Sequence, residues 1–150
     1  MAEWILPVYD RTQGDVNFAI SKIAEWRKSG SKDVYELKGC LNVSDINRIE
    51  NNMRFLSDEL SALYYFPHAD CKSWDKSGLL NTADVNRIIG NLQKIINAYY
   101  QRADAPDVPN NMLTYSQVND IEENLYLIKN ILDEMIPLFR ECGTFSCGEE

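Results

Sequence analysis

One histidine and four cysteines are the side chains best suited to hold a metal or serve as nucleophiles in this chain of 150 residues. His68 and Cys71 stand at H-x2-C spacing, half of a zinc site, and Cys142 and Cys147, separated by four residues, would supply the other half. A surface histidine and reduced thiols explain the same residues more simply, so no metal or cofactor is expected. Nucleophilic catalysis would depend on His68 alone, which follows Pro67 with no patterned nucleophile nearby. The carboxylate pairs Glu122-Glu123, Asp133-Glu134 and Glu149-Glu150 are neighbours in sequence on solvated helix faces, not groups converging across a cleft. The seven glycines form no phosphate-cradling loop. No catalytic residue is expected, and the chain reads as a non-enzyme.

The elements that would position any site come from an internal repeat. Segments beginning at Leu41, Leu80 and Leu113 align without gaps and keep the same Leu, Asn, Ile and second Asn. A fainter fourth copy runs from Thr12 to Asn17. Each opens with a helix cap at Thr12, Asn42, Asn81 or Thr114, followed three residues later by Asp15, Asp45, Asp84 or Gln117 as the reciprocal partner. Apolar stripes at helical spacing follow: Ile46, Ile49, Met53, Leu56, Leu60; Val85, Ile88, Leu92, Ile95, Tyr99; and Val118, Ile121, Leu125, Ile128, Leu132, Phe139. The first helix, over residues 14–28, presents Val16, Ile20, Ile23 and Trp26 or Arg27.

A short helix is expected over residues 32–38, stopping at Gly39, and Pro137 is expected to bend or end the last helix near Met135. The links over residues 66–81 and 103–114 are long and rich in turn formers. The fold class is all-α: a four-helix bundle of repeated capped helices in one domain. Residues 1–11 form an extended N-terminal arm, 12–140 the bundle and 141–150 a C-terminal arm or hairpin, in which a tight turn would bring Cys142 and Cys147 together.

The repeated asparagines, Asn47 and Asn52, Asn86 and Asn91, Asn119 and Asn124, read as structural. A buried amide without partners costs about 1–3 kcal/mol, so their recurrence predicts bonds to a neighbouring helix or to a loop backbone. Trp4, Tyr9 and Phe145 lie on or beside the terminal arms and are the candidate interaction residues. A formal net charge of −8 opposes nucleic acid and anionic membrane surfaces as partners. No signal peptide or membrane span is expected, and a protein made in a cytoplasm is.

Trp4-Ile5-x-Pro7, Asp10-Arg11-Thr12-x-x-Asp15-Val16, the run from Lys38 to Asn52 with its N-R-I-E-N-N core, and Leu113-Thr114-Tyr115 resemble a helical module of phage and prophage tail-associated proteins from Gram-positive hosts. The resemblance covers almost the whole chain. It implies a virion component attached to tail, baseplate or fibre proteins, a homo-oligomer, and no catalytic residues to carry over. A soluble intracellular regulator that binds one protein through a helix groove is the alternative.

Overall fold

The computed structural model describes residues 2–30 and 36–143, the last five by backbone alone. Within them the chain is all-helical, with α1 (Gln13–Ser29), α2 (Val43–Ala62), α3 (Thr82–Ala98) and α4 (Tyr115–Gly143) and no strand. The caps explain where the helices begin. Thr12 and Asp15 exchange bonds, the Thr12 N–H donating to Asp15 Oδ2 at 2.8 Å and the Asp15 N–H to Thr12 Oγ1 at 3.3 Å. Thr114 and Gln117 repeat the exchange at 3.1 and 3.2 Å, and Asn81 Oδ1 accepts the Asp84 N–H at 2.9 Å. At α2 the Asp45 carboxylate accepts the Asn42 N–H, while the Asn42 amide donates to the Leu37 and Cys40 carbonyls. Each such cap is worth about 1 kcal/mol.

The expected stripes of α2, α3 and α4 meet in one core. Ile49, Met53, Leu56, Leu60, Ile88, Leu92, Ile95, Ile121 and Leu125 are wholly buried, with Met112 and Val118 at the edge of the same cluster. Each large aliphatic side chain contributes about 1.5–3 kcal/mol through burial. The fourth copy behaves differently: Ala19 is the one buried residue of α1, and Phe18 and Ile20 are 57% and 61% exposed. The core is therefore built by three helices, with α1 at its periphery.

The three core helices run parallel. On α3, Asp70 lies at Asn91 and Lys72 at Asp84; on α2, Lys72 lies at Glu50 and Trp74 at Asn47. The connecting segment thus descends both helices from C-terminal to N-terminal positions, so both point the same way. The segment over residues 5–11 does the same, from Asn52 on α2 to Asn119 on α4. A helix of 17 residues is about 25 Å long, and about eight extended residues span it. The long links are the return paths that a parallel arrangement demands.

Two expectations about boundaries change. α4 continues through Pro137 to Gly143 and does not end near Met135. Pro137 and Asp133, whose carbonyl would have accepted the missing N–H, are both exposed, so the lost bond falls on a solvent-facing part of the helix. Residues 141–143 accordingly belong to α4. The expected helix over residues 32–38 falls mostly outside the described residues; Lys38 and Gly39 form a turn. The C-terminal arm from residue 144 onward, with Phe145 and Cys147, also lies outside them, as does the side chain of Cys142.

Candidate functional site

Each groove between parallel helices poses a hydrogen-bonding problem. Helix backbones are internally paired, so an extended segment lying between two helices finds no backbone partner for its own N–H and C=O groups. The repeated asparagines solve this, because a carboxamide carries both a donor and an acceptor. Asn52 accepts the Ile5 N–H at 3.0 Å and donates to the Ile5 carbonyl at 2.7 Å. Asn91 does the same to Asp70 at 3.0 and 2.7 Å, Asn47 to Trp74 at 2.7 and 2.9 Å, and Asn119 to Arg11 at 3.3 and 2.9 Å. Asn124 donates to the Pro106 carbonyl at 2.9 Å. Five of the six structural candidates therefore clamp one strap residue each. Asn86 is exposed, and among the described residues its side chain makes no hydrogen bond.

Behind the clamps lie buried ionic groups. Glu122, fully buried, accepts from the Val8 N–H at 2.7 Å, from Arg11 Nη2 at 3.0 Å and from Arg48 Nε at 2.8 Å. Asp45 bonds both guanidinium groups from the other side. Glu50, at the equivalent place in the second groove, accepts from the Lys72 N–H at 2.7 Å, the Trp74 indole at 2.8 Å and Arg87 Nη1 at 2.8 Å. Burial pushes the Glu50 carboxyl up, but Arg87, the indole and the Lys72 N–H outweigh it and hold it below the usual range. Asp45 is likewise pushed up by burial and brought lower overall by the Asn42 N–H, Arg48 and Arg11. Glu122 is thus not on a solvated face as its sequence suggested.

The arm places its aromatic candidates on the chain's own helices. Trp4 is half-buried, its ring 5.7 Å from Phe55, with Lys129 Nζ 5.8 Å from the Trp4 ring centre. Tyr9 lies 5.2 Å from Tyr126. Both rings anchor the N-terminal strap. His68, exposed, stacks on Phe66, and burial pushes the half-buried Cys71 thiol up to about 11. Among the described residues no three His, Cys, Asp or Glu side chains converge on a point where a metal would sit.

Arg11, Asp45, Arg48, Glu50, Arg87 and Glu122 are the site residues that sequence reasoning missed. Their signal lay in the repeat register, where Glu50 and Glu122 occupy one position and Arg48 and Arg87 another. Their chemistry is mutual neutralisation: of the buried side-chain nitrogens and oxygens among the described residues, Arg87 Nε alone lacks a partner. No described helix is long and apolar enough to cross a membrane. Comparisons of the chain with protein-family models, curated proteins and solved structures gave no match.

Proposed function

We propose that this chain is a non-enzymatic structural or adaptor component of a phage or prophage tail, assembling through protein–protein contacts with other tail or baseplate subunits and with copies of itself. The observation that carries the non-enzymatic part is the employment of the buried polar groups. Carboxylates and guanidiniums of the kind that perform acid–base work elsewhere are here locked to one another and to strap backbones. They make a rigid block.

The surface supplies the material for contacts. Leu6, Phe18, Ile20, Tyr64, Leu79 and Leu113 are large apolar side chains open to solvent. The tail assignment itself rests on the sequence resemblance. Mass spectrometry of particles purified by density from the producing strain tests it: the chain is expected at a fixed ratio to the other tail proteins. Its absence from intact particles, with the protein abundant in the cell extract, overturns the virion role and favours an intracellular regulator.

A further inference from the structure

α4 overhangs the two helices it packs on. The repeat register puts Ala62 and Ala98, the last residues of α2 and α3, level with Glu134 and Ile131. Arg102, just beyond α3, accordingly feels the Glu134 carboxylate. α4 continues to Gly143, about 13–18 Å past both neighbours at its rise per residue. The core-facing positions continue with it. Val118, Ile121, Leu125, Ile128 and Leu132, all buried, are the a and d positions of a heptad. Met135 is the next such position, and Phe139 and Cys142 follow at the same spacing in the sequence.

Met135 and Leu138, at a core position and on its flank, are 44% and 54% exposed, because α2 and α3 have ended below them. The ends of α2 and α3 are closed by Tyr65 and Tyr99, whose rings meet edge to face at 5.3 Å, and Tyr64 and Tyr100 beside them are open to solvent. Charge and geometry select what covers this face. Asp133, Glu134, Arg140 and Glu141 take the b and c positions and Pro137 the f position, on the outer side of the register, while the flanking e and g positions carry Ile136 and Leu138. Identical helices meeting on this seam therefore bring no like charges together. A parallel partner helix would run on into the space held by α2 and α3. An antiparallel one comes down over their ends and carries its own bundle away from this one, and a two-fold axis lets one contact cover both overhangs.

We infer that the overhang of α4 is a dimerisation element through which two copies of this chain meet tail to tail. The two overhangs lie antiparallel, and Met135 and Leu138 of each pack on the other overhang and on the partner subunit's Tyr64 and the partner subunit's Tyr100. The core seam of one bundle thereby continues into that of the next. This inference rests on the self-association in the reading above and not on the tail assignment.

Light scattering of the full chain after size exclusion, over a concentration series with reductant present, tests it without virions, so its failure is distinct from failure of the tail assignment. The expected mass is that of two chains, falling to one chain on dilution. Met135→Asp combined with Leu138→Asp should give one chain at every concentration, with the helical content of the wild type, since both side chains are exposed in the single chain. Leu113→Asp, at the opposite end of the bundle, should leave the dimer intact. In a mixture of isotope-labelled and unlabelled protein, the Met135 methyl group of one copy should show contacts to the ring protons of the partner's Tyr64 or the partner's Tyr100. A monomer at every concentration, a mass other than two chains, a dimer that survives the paired aspartates, or intermolecular contacts confined to the Leu79 and Leu113 end overturns the proposal.

Discussion

Gln101 gives Asn124 the hydrogen bond that Pro106 lacks the N–H to give. Its Nε2 donates to Asn124 Oδ1 at 2.9 Å while the Asn124 amide donates to the Pro106 carbonyl at 2.9 Å. At Asn47, Asn52, Asn91 and Asn119 the strap residue supplies both groups itself. A double-mutant cycle checks this substitution. Gln101→Ala should cost about 1–3 kcal/mol, the price of an orphaned buried acceptor. In a Pro106→Ala background, where a backbone N–H is restored, the same change should cost measurably less, read by urea unfolding. Equal costs in both backgrounds would show that Gln101 acts through something other than the Asn124 oxygen.

The clamps should differ sharply in energetic weight although their sequence signal is the same. Asn52→Ala strands the N–H and carbonyl of Ile5 together, a loss of about 2–6 kcal/mol if each group costs the usual 1–3. In a domain of this size that lowers the melting temperature by about 4–24 °C. Asn86→Ala should fall within about 0.5 kcal/mol of wild type, as exposed substitutions do. Comparable losses at the two positions would contradict the assigned bonding.

Acid should loosen the straps. Asp45 and Glu50 have folded pKa values below their unfolded ones. Their stabilising contribution is therefore complete above the unfolded values of about 3.9 and 4.3 and is lost as pH falls through the lower folded values. Urea midpoints should hold near neutrality and drop below about pH 4. Glu50→Gln, destabilised at pH 7, should approach wild type in acid. Asp120 carries the opposite sign, since its folded pKa is raised. Asp120→Asn should raise the midpoint at pH 7, with the gain vanishing once Asp120 is protonated in both states.

Gly39 is needed for the approach of the α2 lead-in to α1. A Cβ there would overlap the Asp15 carbonyl, a backbone group of the first turn of α1 that cannot swing aside. Gly39→Ala should destabilise by about 1–3 kcal/mol, as overpacking does. Hydrogen exchange should show faster exchange at the amides of the first turns of α1 with the core amides of α2 to α4 unchanged. Uniform loss of protection would mean that α1 is not separable from the core.

The capped starts and apolar stripes of α2, α3 and α4 were legible because each depends on a local rule: a side chain reaching its own first turn, or a period of 3.6. Asn47 and Asn52 were legible as bonded amides. Their partners were not, because Trp74 and Ile5 are distant in sequence and carry no residue-type signal for a backbone contact. Glu122 misled because a glutamate beside another glutamate reads as solvated, and the two arginines that hold it inside come from Arg11 and from a different helix. Ile20 misled the other way. Its spacing marks a helix face, but spacing does not say whether another element covers that face.

The N-terminal strap closes on α4, with Arg11 and Val8 held by residues 108 and 114 positions further along. The arm, made before all four described helices, therefore has part of its receptor in α4, the last of them to be made. Synthesis must run past Glu122 before Val8, Arg11 and Arg48 find their common carboxylate. Until then the arm has only its α2 contacts, such as Ile5 on Asn52, and Arg11 and Arg48 share the single carboxylate of Asp45. Folding is thus completed from the far end, and truncation anywhere before α4 leaves α2 and α3 with one strap of three.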